Sequence, residues 1–325
     1  MRRHLMQIAA AMTLGLASAT AVAQAFPDKP VRLVVAYPAG GGLDFVGRTL
    51  AQQLSEVWRQ PVTVDNRSGA SGAIGADSVA KARPDGLTLL LASPAEVLVG
   101  PIAGQKTPYD AEKAFVPVIL AGETPLAVVA HPAVGANQWA DLVSAVRKNN
   151  LSLSYGTPGA GSSMHFAGEA MSHASGIPLV HVPYRGAAPA VNDVLGNQVP
   201  LAIVGMPPVM PHARSGKLKV LAVTTAKRSP VMPDVPSISE LPGMSGYQFS
   251  NWMMVLAPAG TAGPVVEKIA ADVSRVLQDP AVRARLLESG VQPLGVTGQE
   301  LSAFMQQERA RYASVARMRN IRYAD

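Results

Sequence analysis

A glycine-rich turn between an apolar run and a helical pattern constrains this sequence more than any other feature. Residues 33–36 are apolar, residues 37–42 read Tyr-Pro-Ala-Gly-Gly-Gly, and a helical pattern begins at Asp44. A helix that starts after such a turn points its first backbone N–H groups and the positive end of its dipole at one spot. Glycine also allows close approach to the backbone. The sequence therefore predicts an anion-binding site at this turn.

Apolar β-rich runs alternate with helical patterns along the chain, which is typical of a parallel α/β sheet. In a first block we predict strands at residues 31–36, 62–65 and 87–92 and helices at residues 44–58 and 73–82. In a second block we predict strands at residues 126–130, 153–156, 180–182, 201–204 and 220–223 and helices at residues 139–148 and 190–195. Residues 265–315 read as helical and are expected to pack against the first block.

A second glycine-rich turn, Thr-Pro-Gly-Ala-Gly-Ser-Ser at residues 157–163, stands between a strand and a helix of the second block. Ligands bind outside the carboxyl ends of the strands in open α/β sheets. We therefore expect the two turns to face one cleft. Two long extended runs, residues 116–130 and 247–257, are expected to cross between the blocks.

The start of the chain has the pattern of a secretory signal peptide, which we assign to residues 1–25. Arg2 and Arg3 precede an apolar run over residues 8–22, and cleavage is expected near Ala25. The apolar run is shorter than the roughly 20 residues of a membrane span. We predict export by the Sec route to the periplasm.

Composition narrows the function classes. The chain has no cysteine, so the exported protein depends on its core and not on disulfides. The net charge of +6 is modest and the basic residues are dispersed, which argues against nucleic-acid binding. The histidines are scattered without metal-ligand spacing, and the glycine turn lacks the G-x-G-x-x-G pattern of a dinucleotide site. We expect no metal or cofactor.

Several further motifs fit one family when taken in order. They are Pro38-Ala39-Gly40-Gly41-x-x-Asp44, Asn66-Arg67-x-Gly69-Ala70-x-Gly72, Gly159-x-Gly161-Ser162 and His181-Val182-Pro183-Tyr184-Arg185-Gly186. With them the sequence closely resembles the extracytoplasmic solute receptors of the tripartite tricarboxylate transporter system, the Bug family. The resemblance covers almost the whole chain after the signal peptide.

The resemblance implies a two-lobed periplasmic binding protein of type II, a Venus flytrap whose two Rossmann-like lobes are joined by two crossing strands. Residues 26–123 and 250–325 would form lobe 1, and residues 124–249 would form lobe 2. The implied ligand is a small organic acid, and the implied partners are the permease subunits of the transporter. We expect a monomer.

Carried over residue by residue, the resemblance implies a ligand site built from both turns, with Ser93 and Asp193 at positions that can face the cleft. The candidate ligand-binding residues are Tyr37, Ala39, Gly40, Gly41, Gly42, Asp44, Ser93, Thr157, Gly161, Ser162, Ser163 and Asp193. Backbone N–H groups and the hydroxyls of the second turn could satisfy a buried carboxylate, with no arginine required in the cleft.

Three of these residues have two interpretations each. Asp44 either stabilises the first turn of its helix or touches the ligand. Asp193 either pairs with the distal part of the solute or is a solvated helix residue. Tyr37 either lines the cleft or fills the hinge.

Two other functions remain as alternatives. A serine hydrolase would use Ser162 with His165, but the turn does not form G-x-S-x-G. A sensory receptor that signals to a two-component system would share the fold and the ligand site, so the dependence of uptake on a permease would distinguish the two roles.

Overall fold

Two sheets that share one long strand form the framework of residues 26–321, the part of the chain that the structure, a computed structural model, describes. The signal peptide at residues 1–25 lies outside the described residues, and its cleavage stays a prediction. None of the helices in the described range is long and apolar enough to cross a membrane.

The strands and the helices of five or more residues alternate along most of the chain. The strands are β1 Val31–Val35, β2 Val62–Asn66, β3 Thr88–Ala92, β4 Phe115–Ala130, β5 Leu153–Thr157, β6 Leu179–Pro183, β7 Leu201–Gly205, β8 Lys219–Val223, β9 Ser250–Pro258 and β10 Gln292–Val296. The α-helices are α1 Gly42–Trp58, α2 Ala73–Ala80, α3 Trp139–Asn149, α4 Ser163–Ser175, α5 Ala187–Leu195, α6 Met210–Arg214, α7 Gly263–Gln278, α8 Pro280–Glu288 and α9 Gly298–Arg319.

The long strand β4 belongs to both sheets. Its first half pairs antiparallel with β9 and β10, and β9 continues to β3, β1 and β2. Its second half lies between β7 and β8, and β7 continues to β5 and β6. The partner changes between Pro125, which faces Ser250, and Leu126, which faces Gly205. We call the first sheet with its helices lobe 1 and the second sheet with its helices lobe 2.

The second connection between the lobes comes just before β9. The N–H of Phe249 donates to the carbonyl of Thr224 in lobe 2 at 2.9 Å, and Ser250 then enters the lobe 1 sheet. This confirms two crossing connections. Lobe boundaries at residues 123/124 and 249/250 stay a prediction.

The elements of lobe 1 follow from their apolar spacing. Val46, Leu50 and Leu54 recur at intervals of four on α1 and are at most 3% exposed, because that face lies on the sheet beside α7. Each such side chain contributes roughly 1.5–3 kcal/mol of hydrophobic burial. The helix ends at Arg59, whose φ of 52° is left-handed. This packing fixes where the first turn of α1 points.

The C-terminal part differs from the all-helical prediction. Strand β10 interrupts it and pairs antiparallel with β4 at the edge of the sheet. The strand is short and contains Pro293 and Gly295, so its sequence lacks the alternation of apolar and polar residues that would have predicted a strand. The last helix, α9, also reaches lobe 2: Tyr312 packs edge-on against Phe166, with ring centroids 5.6 Å apart, and Arg319 pairs with Glu169 at 2.9 Å.

Candidate ligand-binding site

The first glycine turn joins β1 to α1 and presents the start of that helix to the space between the lobes. Gly41 is the residue before the first helical turn, and Gly40 has a φ of +86°, which glycine adopts without strain. Residues in the first turn of a helix have backbone N–H groups with no partner inside the helix. The turn therefore supplies donors, as the sequence predicts.

Asp44 holds this turn together. Its carboxylate accepts hydrogen bonds from the Gly40 N–H, the Arg48 guanidinium and the Asn66 amide, each at 3.0 Å. Burial raises the pKa of the carboxyl, but the hydrogen bonds from Arg48, Gly40 and Asn66 outweigh it and the net pKa is lowered. Of the two interpretations of Asp44, the geometry agrees with the first, a role in the first helical turn.

The second glycine turn joins β5 to α4. Ser162 precedes the helix, and its Oγ accepts the N–H of His165 at 3.2 Å, which is a standard N-cap. Gly161 has a φ of +69°, and its N–H donates to Nδ1 of His165 at 3.1 Å. Behind the turn, Oγ1 of Thr157 lies 2.6 Å from Nε2 of His181. Thr157 and Gly161 thus shape the turn from within.

The two histidines behind the second turn are stacked. The rings of His165 and His181 have centroids 3.9 Å apart. Burial lowers the pKa of His165, and burial together with the neighbouring His165 lowers the pKa of His181 to about 3. Both rings are therefore neutral at physiological pH, and the second turn gains no charge from them.

A third helix start, which the sequence analysis did not include, faces the same space. Gly186 precedes α5 with a φ of +126°, and its N–H donates to the carbonyl of Pro158 at 3.0 Å. Ala187 and Ala188 supply the first helical N–H groups, and Arg185 stands just before them. The signal was available, because residues 181–186 form one of the motifs on which the resemblance rests.

The three helix starts border one cavity of about 250 Å³ between the lobes. Its lining combines the three helix starts with residues of the strands that connect the lobes and with several proline side chains. The lining residues are Tyr37, Pro38, Ala39, Gly41, Gly42, Leu43, Ser93, Thr124, Pro158, Ser162, Ser163, Met164, Arg185, Gly186, Ala187, Ala188, Pro189, Gly205, Pro208 and Asn251.

The cavity gathers part of the predicted set. The predicted residues that line it are Tyr37, Ala39, Gly41, Gly42, Ser93, Ser162 and Ser163. The predicted residues outside its lining are Gly40, Asp44, Thr157, Gly161 and Asp193. The carboxylate of Asp193 instead accepts the hydroxyl of Tyr184 at 2.7 Å. The first four of those outside belong to the two turns, so they hold the backbone that reaches the cavity.

The floor of the cavity comes from the strands that connect the lobes. Thr124 on β4 accepts the N–H of Met206 at 3.3 Å and lies 3.0 Å from the carbonyl of Gly290, to which it donates. Asn251 on β9 accepts the hydroxyl of Ser163 at 3.1 Å through its Oδ1. The Asn251 amide group therefore keeps its N–H side as the donor. Neither residue carries a motif that sequence reasoning could have used.

Ser93, at the end of β3, ties the cavity wall to a buried acid. Its N–H and its hydroxyl both donate to Glu96, each at 2.6 Å. Burial raises the pKa of Glu96 to about 7, although the bonds from Ser93 oppose that shift. The hydroxyl of Ser93 is thus committed to the protein and offers only its lone pairs to the cavity.

The electrostatics of the cavity favour an anion. No Asp or Glu is among its lining residues in the described part of the chain, and Arg185 is the charged side chain there. Each helix start carries the equivalent of roughly half a positive charge. The hydroxyl of Ser162 also uses its lone pair for the N-cap and keeps its proton for an acceptor in the cavity. The donors toward the cavity are therefore backbone N–H groups, Ser162, Asn251 and Arg185. The sequence analysis required no arginine in the cleft, and the structure nevertheless places Arg185 in the cavity lining.

Tyr37 lines the cavity, and the turns of the two lobes touch beside it. The Tyr37 hydroxyl donates to the carbonyl of Ser71 at 3.4 Å, and the Ser71 hydroxyl donates across the gap to the carbonyl of Ala160 at 2.5 Å. Ser71 adopts a left-handed φ of 51°, which costs free energy in a residue other than glycine. The Ser71–Ala160 hydrogen bond therefore puts the two lobes in contact beside the cavity.

Ser162 and His165 are not arranged as a nucleophile and its base. The Ser162 Oγ accepts the backbone N–H of His165, and the Nδ1 lone pair of His165 accepts the N–H of Gly161. A general base needs an imidazole lone pair within reach of the hydroxyl. The neutral ring here has that lone pair engaged, so the geometry does not support proton transfer from Ser162.

Comparisons with known proteins agree with this fold and site. A family model described as the tripartite tricarboxylate transporter family receptor, TctC, matches residues 46–321. A UPF0065 protein of Bordetella bronchiseptica is 35% identical over 313 residues, which cover 96% of this chain and 92% of that protein. Protein BugT of Bordetella pertussis is 34% identical over 306 residues, which cover 94% of this chain and 93% of BugT.

Solved structures of similar proteins agree with this family assignment. The structure of R. palustris Rpa4515 with adipate has a TM-score of 0.87 and 33% identity, and the match covers 91% of this chain and 99% of that chain. MatC from Rhodopseudomonas palustris with bound malate has a TM-score of 0.80 and 30% identity, with 89% and 99% covered. This two-lobed chain, with its two glycine turns facing one cavity, therefore belongs to the tripartite tricarboxylate transporter receptor family, the family of the Bug solute-binding proteins.

Proposed function

We propose that this protein is a periplasmic receptor that binds a small organic acid between its lobes and delivers it to a tripartite tricarboxylate-type permease. One observation carries the proposal: the first turns of α1, α4 and α5 border a single cavity whose described lining holds no acidic side chain. Helix starts bind anions through their exposed N–H groups and their dipoles.

The chemistry of a carboxylate suits these donors. An ionised carboxylate has about four acceptor positions, and burying it without partners is strongly unfavourable. Each hydrogen bond to a charged group contributes roughly 1.5–3 kcal/mol. Three or four of them could give a micromolar dissociation constant, a binding free energy of about 8 kcal/mol, after ordering costs.

Size limits the ligand to a small metabolite. The cavity has a volume of about 250 Å³, which is the scale of a small metabolite. The adipate and malate bound to the two relatives are acids of this scale. Backbone donors and apolar proline and alanine walls suit such a compact, oxygen-rich solute.

Binding would couple to the position of the lobes. A ligand that touches α1 of lobe 1 and α4 of lobe 2 at once favours the closed form by its differential affinity for that form. The closed form then presents surfaces of both lobes together, which a permease could recognise. Uptake that is lost on deletion of the permease would support delivery, whereas a transcriptional response without uptake would support sensing.

Isothermal titration calorimetry against a panel of small organic acids tests the binding step. We expect at least one acid to bind with a micromolar or lower dissociation constant and to raise the melting temperature, because a ligand selective for the native state stabilises it. The matched primary amides serve as controls, since they keep the shape and lose the charge. Equal binding of acids and amides would contradict the proposal.

A further inference from the structure

A second cavity, of about 490 Å³, lies beside the ligand cavity. The residues that line both are Tyr37, Pro38, Pro158 and Arg185. The second cavity is otherwise bordered by the turn at residues 68–72 of lobe 1 and by neighbours of Pro158 and Arg185 in lobe 2. We call it the outer cavity. A ligand anchored at the helix starts would reach the outer cavity past these shared residues.

Arg185 is the charged side chain of both linings. No Asp, Glu or Lys is among the residues that line either cavity in the described part of the chain. Nearby arginines of lobe 1 are paired: Arg48 binds Asp44, and Arg67 binds Asp65 at 2.7 Å. The guanidinium of Arg185 has no such hydrogen bond or ion pair with residues 26–321. A positive charge without an ion-pair partner among residues 26–321 thus stands at the junction of the two cavities.

The backbone on both sides of Arg185 is held in place. The Tyr184 N–H donates to the carbonyl of Thr157 at 2.9 Å, and the Gly186 N–H donates to the carbonyl of Pro158 at 3.0 Å. Lobe 1 lies close by, since a Cβ on Gly186 would be 3.3 Å from Cγ of Pro38. The backbone that carries the Arg185 side chain is therefore fixed relative to the second turn.

We propose that Arg185 binds a second anionic group of the ligand, so that this receptor selects dicarboxylates over monocarboxylates. The proposal rests on the proposed function, because the first carboxylate must lie at the three helix starts. A guanidinium matches a carboxylate with two parallel N–H donors. A monocarboxylate would use the helix starts and leave Arg185 solvated, whereas a dicarboxylate uses both.

The test compares each dicarboxylate with its own monoamide, which has the same length and one charge fewer. Succinate, glutarate, malate and adipate are titrated calorimetrically into the wild-type protein and into Arg185→Gln, Arg185→Lys and Arg83→Gln. Arg83→Gln is the matched control, because it removes one exposed arginine from a surface turn outside both linings. Thermal unfolding of each ligand-free variant checks that the fold is retained.

We expect the wild type to bind at least one dicarboxylate about tenfold or more tightly than its monoamide, the scale of one charge-assisted hydrogen bond. Arg185→Gln should remove most of that preference by weakening only the dicarboxylate, Arg185→Lys should retain part of it, and Arg83→Gln should leave it unchanged. Equal weakening of dicarboxylate and monoamide in Arg185→Gln overturns the proposal, as does a wild type that prefers monocarboxylates. If the wild type binds no carboxylate at all, the proposed function itself fails.

Discussion

Substitutions at Ser162 can distinguish an effect on ligand affinity from an effect on the stability of the fold. It is 2% exposed and lines the cavity, and one atom, Oγ, serves two purposes. The lone pair accepts the N–H of His165 and caps α4, while the proton is available to a carboxylate in the cavity. Substitutions exist that keep the cap and change only what the ligand meets.

The decisive change is Ser162→Asp. Aspartate caps a helix about as well as serine, so the cap of α4 is kept, and the burial of the added charge at a position that is 2% exposed lowers the free energy of unfolding. The new carboxylate would stand about 4 Å from the ligand carboxylate, where two like charges repel by about 4 kcal/mol at an effective dielectric constant of about 20. The lost hydrogen bond adds roughly 1.5–3 kcal/mol. We expect the dissociation constant of an organic acid to rise about a thousandfold or more.

Two matched variants calibrate that result. Ser162→Thr keeps the hydroxyl and the cap, and should bind within about threefold of the wild type, a difference below about 1 kcal/mol. Ser162→Gly removes the hydroxyl while costing only a few tenths of a kcal/mol as a cap, so its dissociation constant should rise about 10- to 100-fold. Calorimetry measures affinity and urea unfolding measures stability. Wild-type affinity in Ser162→Asp would refute the reasoning, because no anion could then lie at this helix start.

Three further changes probe closure and pH dependence. Ser71→Ala removes the hydrogen bond to Ala160 between the lobes, which is worth roughly 0.5–1.5 kcal/mol. The closed form is then less populated, so the dissociation constant of the ligand should rise about 2- to 10-fold. A calorimetric titration that matches the wild type would show that this bond plays no part in closure. His181 has a folded pKa of about 3, so its contribution to stability is full above the unfolded value near 6.5 and is lost as the pH falls toward 3. Between about pH 7 and pH 5 the free energy of unfolding should drop by up to about 2 kcal/mol from this group, and His181→Gln should flatten that slope in urea unfolding. An unchanged slope would show that the ring takes up a proton equally well in the folded and unfolded states. Glu96 has a folded pKa of about 7, above the unfolded value near 4.5. Its contribution to the free energy of unfolding is therefore full below pH 4.5 and falls by up to about 3 kcal/mol as the pH rises through about 7. Glu96→Gln should remove this opposite slope in the same urea series, and a wild-type pH profile in that variant would contradict the assignment.

The sequence alone determined the α/β alternation and the two strand–turn–helix units, and it predicted that their turns bind an anion. These features are local. Apolar spacing reports which face of a segment is buried, and a run of glycines before a helix reports a backbone that a ligand can approach. The signal peptide, at residues 1–25, is equally local and remains a prediction.

Only the tertiary structure decided which side chains meet in the cavity. Asp44 bonds with Asn66, 22 residues away, and Ser163 with Asn251, 88 residues away, and no periodicity encodes such pairings. The third helix start and Arg185 reach the cavity because β5 and β6 lie side by side in lobe 2. A residue's partners depend on how sheets and helices pack, so a site composed of several distant loops emerges only when the chain is folded.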